Sequence, residues 1–336
     1  MKKAVFIVVV GILTLLLVYF LLYFFGGSNK FSQIVVKDFD SRASQYLNKL
    51  DGTPVLSTTT LGIVAVMVDN HPDARPQSGI AAARVVYEVP VEGNFTRFLA
   101  IYNTEDIVEK VGPVRSARPY YLDWLREYGD ALYLHCGGSP DALSLIKKDS
   151  IFAANEFYWG DFYWRDQVRT APHNLYTDSE LWQKLWSNYG KDHGNQDWQG
   201  WKFGEISVTG TLPSKGVSIT YASNFQVTWQ YNIAVGQYSR LINNQPLTEP
   251  VLADNVVVQY VKMRSLDELD RKEITTIGSG DMRIWRDGVL IRGTWSKGDV
   301  TSRTRFFDNT NQEINLHSGV TWIQIVPESA KVEINS

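Results

Sequence analysis

The chain has 336 residues, 33 Lys+Arg against 36 Asp+Glu, a formal net charge of −3 and 44% hydrophobic residues. This composition excludes a disordered or collagen-like chain, and the near-neutral balance gives no long-range pull toward nucleic acid. Any anion site must therefore come from a local cluster of side chains.

Lys2 and Lys3 precede an apolar run from Ala4 to Phe25, 22 residues with no charge and no Pro. A helix rising about 1.5 Å per residue over that length crosses the roughly 30 Å hydrocarbon core of a bilayer. The run ends in Phe24-Phe25, a poor fit to the small residues of a signal-cleavage site, although cleavage of a secreted form is the alternative. Residues 1–27 thus predict a cytoplasmic stub and a single-pass transmembrane anchor, with the bulk of the chain extracytoplasmic. Residues 28–54 read as a polar tether. Cys136 is the only cysteine, so no intramolecular disulfide forms, and no cysteine follows the apolar run to carry a lipid.

The remaining length fits two domains, each with a core. Residues 55–205 read as a mixed α+β or α/β domain of sandwich-like layers. Its strands are expected at Leu61–Val68, Val85–Val89 and Phe98–Tyr102. One helix is expected after Ser116 with Pro119 in its first turn, a second after Ser139-Pro140, and a third behind a Thr177/Glu180 capping box. Residues 206–336 read as a mostly-β domain. Phe225 to Tyr231 alternates apolar and polar residues, Asp287-Gly288 is a two-residue hairpin turn, and only Leu266–Lys272 suggests a helix.

Polar residues of chemical interest concentrate in four segments of the first domain, around Asp69 to Pro76, Gly112 to Pro119, His135 to Pro140 and Arg165 to Asn174. Arg115 with Arg118, and Arg165 with Arg169, are spaced to offer paired guanidiniums to one oxyanion, with Arg75 nearby. Gly137, Gly138 and Ser139 join a strand to a helix start, where backbone N–H groups favour an anion. His173 and Asn174 complete the ligand-binding set. The alternative is that these arginines only form ion pairs with Asp69, Asp73, Asp166 and Glu92. Asp69, His71, His135 and His173 are the candidates for acid–base catalysis. The same four have the residue types of a zinc site but no metal-ligand spacing, so neither metal nor cofactor is expected. Ser116 or Ser139 could complete an acyl-transfer triad, but no G-x-S-x-G motif is present. Tyr158, Trp159, Phe162, Tyr163 and Trp164 form an aromatic loop expected to wall a core.

Asp69-Asn70-His71-Pro72, Val91-Glu92-Gly93 with Thr96-Arg97-Phe98, Val111 to Pro119, His135 to Pro140, and Ala171 to Tyr176 together resemble the YerB-like family of bacterial envelope proteins. The likeness runs from Leu61 to Pro327 and includes Gly278-Ser279-Gly280 and Gly293 to Lys297. It implies a two-domain extracytoplasmic protein, in this family usually a lipoprotein, with a domain of unknown function. The chain departs from the lipoprotein pattern in lacking the lipidated cysteine. The function expected from these readings is binding of an anionic cell-envelope ligand, a phosphate- or carboxylate-bearing wall polymer or its lipid-linked precursor. The alternatives are a wall-acting hydrolase or transferase, or a non-catalytic assembly scaffold with a protein partner.

Overall fold

The computed structural model describes residues 46–55, 61–193, 198–206, 208 and 210–335. The run from Ala4 to Phe25 and the anchor it predicts lie outside the described residues. Among the described residues, no helix is long and apolar enough to cross a membrane.

Two short strands, Tyr46–Leu47 and Pro54–Val55, pair antiparallel in a small unit of their own. The larger unit takes Lys49–Thr53 together with Thr59–Ser336. Leu50 is fully buried in its core, so the folded part reaches back into the segment expected as a tether.

The strands of the larger unit that position the site are β1 (Ile63–Asp69), β2 (Val85–Pro90), β3 (Thr96–Asn103), β4 (Leu132–His135) and β5 (Ala153–Asn155). The later strands are β6 (Leu212–Pro213), β7 (Gly216–Ala222), β8 (Phe225–Asn232), β9 (Gln237–Ile242) and β10 (Asn255–Val261). They continue as β11 (Gly278–Arg286), β12 (Val289–Lys297), β13 (Arg305–Asp308), β14 (Thr321–Pro327) and β15 (Lys331–Asn335). One eleven-stranded sheet runs β6-β12-β11-β10-β14-β2-β3-β1-β4-β5, with β13 on β12. A second sheet holds β9, β8, β7 and β15 in that order, with two short strands on β9.

The two halves of the sequence meet inside the large sheet, where β14 lies parallel to β2 with Thr321 opposite Val85 and Gln324 opposite Glu88. Strand alternation then sends side chains to both faces. On β1, Ile63, Ala65 and Met67 enter one core, and Val64, Val66 and Val68 enter the other. The two hydrophobic clusters divide by sheet face, not by sequence half, and each draws on both halves. Helix α1 (Pro119–Leu125) buries Tyr121, Trp124 and Leu125 in the first cluster, beside Ala142 of α2 (Pro140–Lys148). Helix α3 (Ser179–Tyr189) buries Trp182 and Leu185 in the second, which also takes Val217, Val227 and Trp229 of the smaller sheet. The result is a mixed, mostly-β fold.

Three local expectations change. Ser116 does not cap α1: the chain stays extended through Arg118, and Pro119 opens the helix without a side-chain cap. The cap of α3 is Asp178, which accepts from Leu181 N–H at 2.9 Å, because Thr177 Oγ1 is spent on the Phe162 carbonyl. Leu266–Lys272 is not helical. Its Asp267 and Arg271 pair at i,i+4 as they would on a helix, but here they close a turn between strands Met263–Ser265 and Lys272–Ile274. Asp287-Gly288, both at positive φ, does form the two-residue turn between β11 and β12, as the sequence suggests.

Candidate functional site

Strands β1, β2, β4, β5, β10 and β14 all point the same way, because β3 is antiparallel to both β1 and β2 while the other joins are parallel. At their carboxyl ends lies a cleft of about 520 Å³. Asp69 ends β1, Glu92 follows β2, Gly138 and Ser139 follow β4, and Leu269 and Arg271 follow β10. Arg97 enters from the start of β3, in register with Asp69. The C-terminal half therefore supplies part of the wall.

Asp69 is buried and accepts at Oδ1 from His71 N–H at 3.1 Å. Burial pushes its pKa up, but Arg97, the His71 N–H, Arg115 and His173 outweigh that and hold it below the usual aspartate range. An ionised Asp69 has no proton to give, so His173 Nδ1–H donates to Oδ2 at 2.9 Å. In the neutral ring that contact fixes the tautomer and leaves the lone pair on Nε2. Arg115 Nε lies 3.1 Å from the same Oδ2, close enough for an ion pair, but the angle makes no hydrogen bond.

Arg97 is only 6% exposed, and its one hydrogen bond runs from Nη1 to the Ser116 carbonyl at 2.7 Å. Its Nε has no acceptor. Burial and the neighbouring Arg118 both lower its pKa. Arg118 is paired: its Nε meets Glu92 Oε1 at 2.5 Å, and that contact outweighs burial to hold the Glu92 pKa down. The cleft thus holds four guanidiniums, Arg97, Arg115, Arg118 and Arg271, against the carboxylates of Asp69 and Glu92.

The helix start contributes less than its sequence suggests. Gly137 takes a positive φ, but its N–H donates to Asn155 Oδ1, and Ser139 N–H donates to the Ala117 carbonyl. Ser139 Oγ caps Ala142 N–H at 3.3 Å, a bond worth about 1 kcal/mol to α2. Of the three backbone N–H groups, only that of Gly138 is left for a ligand. A nucleophilic role for Ser139 is disfavoured by the same cap, and Ser116 contributes its carbonyl to Arg97.

Of the residues singled out from sequence, Asp69, His71, Glu92, Arg115, Ser116, Arg118, Gly138, Ser139 and His173 come together in the cleft. The others do not line it. Arg75 folds back on Asn70 and lies over the Phe225 ring at 4.6 Å. Arg165 bonds Asn174 Oδ1 and Glu156, while Arg169 reaches the Pro76 carbonyl. Asn174 Nδ2 donates to the Asp166 and Arg169 carbonyls, so these residues shape the loop that delivers His173. His135 is 1% exposed, bonded through Nδ1 to the Gly137 carbonyl and stacked on Tyr133, and burial brings its pKa down to about 4. Cys136 is half-buried, and burial lifts its thiol to about 11, so it holds little thiolate. The aromatic loop is split, with Phe162 and Tyr163 buried and Tyr158 exposed. Phe95, Arg97, Leu269 and Arg271 were not singled out. Arg97 carries a local signal, a charge inside an apolar strand, whereas Leu269 and Arg271 carry none.

His71, Asp73 and His173 are close enough for ligand atoms to lie within 4.8 Å of one another. The two imidazoles are stacked, with centroids 4.8 Å apart and planes 13° from parallel. Ring lone pairs lie in the ring planes, and nearly parallel planes do not converge on one ion unless a ring turns.

The sequence matches the family described as "Protein of unknown function (DUF3048) N-terminal domain" over residues 51–193 and its C-terminal domain over residues 217–323. The chain belongs to this YerB-like family. It is 29% identical over 274 residues to "Putative lipoprotein YerB" of Bacillus subtilis, covering 79% of this chain and 81% of that protein. The crystal structure of the B. subtilis YerB protein superposes with a TM-score of 0.75 at 28% identity, covering 86% of this chain and all of that one. The family's two domain segments thus share the large sheet through the β14–β2 pair.

Proposed function

We propose that this chain is an extracytoplasmic envelope protein whose cleft binds an anionic group of a cell-envelope ligand, a phosphate- or carboxylate-bearing wall polymer or its lipid-linked precursor. Envelope placement is supported by the lipoprotein name of the B. subtilis relative and by the apolar run from Ala4 to Phe25. Anion binding rests on Arg97. Arg97 lines the cleft, and its buried guanidinium, bonded only to the Ser116 carbonyl, lacks the second acceptor that buried charges normally have. An oxyanion would supply it, with Arg115, Arg118 and Gly138 N–H around the same space. Isothermal titration with inorganic pyrophosphate tests this. Binding that weakens about tenfold in Arg118→Ala is expected, a loss of about 1.4 kcal/mol.

The Asp69–His173 hydrogen bond favours a second reading, a hydrolase or transferase in which His173 Nε2 is the general base and Asp69 its orienting carboxylate. Turnover of a chromogenic phosphodiester, with a pH–rate inflection that disappears in His173→Ala, is its expected signature. Absence of turnover on such esters and on wall polymers, with and without divalent metals, would leave binding alone.

A further inference from the structure

The cleft has a neighbouring cavity on its Phe95 side. Val91 and Phe95, which wall it, also wall a second cavity of about 260 Å³. That cavity shares Met263, Pro327 and Ser329 with a third of about 490 Å³. All three lie along one edge of the large sheet, past the carboxyl ends of β1, β2, β14 and β10. From β4 to β10 the edge crosses five strand spacings, roughly 24 Å at about 4.8 Å each, which is longer than any single phosphate or carboxylate can span.

Charge is distributed along that edge in two stations. The first is the arginine-rich cleft. The second is Lys272 with Lys331; among the described residues no carboxylate lines that cavity, and the ion-pair partner of Lys272 Nζ, Asp270, reaches it from outside the lining. The wall that the two cavities share, Val91 and Phe95, is uncharged. Lys331 is two-thirds exposed, and its ion pair with Glu333 at 3.2 Å is one that water and salt weaken readily.

Resting on the anion-binding reading of the cleft, we infer that the ligand is a linear polyanion whose successive anionic groups are separated by uncharged units, lying along this edge with one anion among the arginines and a later one at Lys272 and Lys331. Phosphodiester-linked polyol chains and uronate glycans share this chemistry. Phe95, half-buried and shared by both cavities, gives the intervening unit an apolar contact.

The test is isothermal titration of the full chain in detergent micelles with glycerol phosphate, a glycerol-phosphate oligomer, galacturonate and an oligogalacturonate, with affinity expressed per anionic group. Engagement of both stations by one chain predicts an oligomer that binds at least about tenfold tighter than its monomer on that scale. Lys331→Glu should remove the gain and Lys331→Arg should keep it; whichever series shows the larger gain names the linkage. Equal affinity of oligomer and monomer per anionic group, or a gain that survives Lys331→Glu, overturns the two-station ligand while leaving the cleft reading intact. Failure of every monomer and oligomer to bind overturns both.

Discussion

Two charged clusters in this fold use the same residue types toward different ends. Glu88, at the centre of the large sheet, is fully buried and takes both carboxylate bonds from Arg240 Nη2 at 2.9 Å. Thr96, Asn70, Trp322 and Gln324 donate to the same carboxylate, and the Arg240 guanidinium lies against Phe98 and Trp322. Asp69, about twenty residues earlier in the chain, also collects arginine and histidine, but at a strand end that opens on a cleft. Arg240 Nε lacks an acceptor just as Arg97 Nε does. A missing hydrogen bond therefore does not by itself mark a site. What separates the two is access: Arg240 lies against the Phe98 and Trp322 rings and the buried Glu88 carboxylate, whereas Arg97 lines the cleft.

The comparison breaks most sharply at Glu88. Glu88→Gln leaves the Arg240 charge buried without its counter-ion, and a loss of about 3–5 kcal/mol in urea unfolding is expected. A loss under about 1 kcal/mol would place the two clusters in the same class.

His135 gives the next largest effect, and it depends on pH. With its folded pKa at about 4, against 6.5 when free, the unfolded chain binds the extra proton between those values, so stability rises with pH across that window. The contribution is complete above about pH 6.5 and is lost on acidification toward pH 4, at most about 3 kcal/mol. His135→Gln should flatten the urea midpoint over that range, and an unchanged slope would contradict the burial of this imidazole.

At the cleft the expected changes move from stability to affinity. Arg115→Ala removes an ion pair that makes no hydrogen bond with Asp69, so pyrophosphate affinity should fall about tenfold while folding stability changes by less than about 1 kcal/mol. Loss of stability with unchanged affinity would make Arg115 a structural residue like Arg240. Arg169→Ala, whose guanidinium reaches only the Pro76 carbonyl at the surface, should change affinity less than about twofold and stability by no more than about 0.5 kcal/mol.

Much of this fold is legible locally. The Asp-Gly turn between β11 and β12, the Ser139-Pro140 helix start and the alternation through β8 each follow from neighbours in sequence. Nine of the cleft residues were also within reach, because loops at strand ends gather polar side chains in an open sheet. Other features depend on partners far along the chain. The β14–β2 pairing that merges both halves leaves no local trace, and the Leu269–Arg271 wall depends on it. Arg75, Arg165 and Arg169 resemble Arg115 in sequence. Only the direction of each side chain, set by Asn70, Asn174 and the Pro76 carbonyl, takes them away from the cleft.

The most direct measurement is thermal unfolding of the full chain in micelles with and without pyrophosphate at matched ionic strength, for wild type and Arg115→Ala in parallel. At about 100 times its dissociation constant, a bound anion adds about 2.7 kcal/mol to stability. The account predicts a rise in Tm for the wild type that is largely absent from the variant at the same concentration. No rise in the wild type, or an equal rise in both, would contradict an anion site in this cleft.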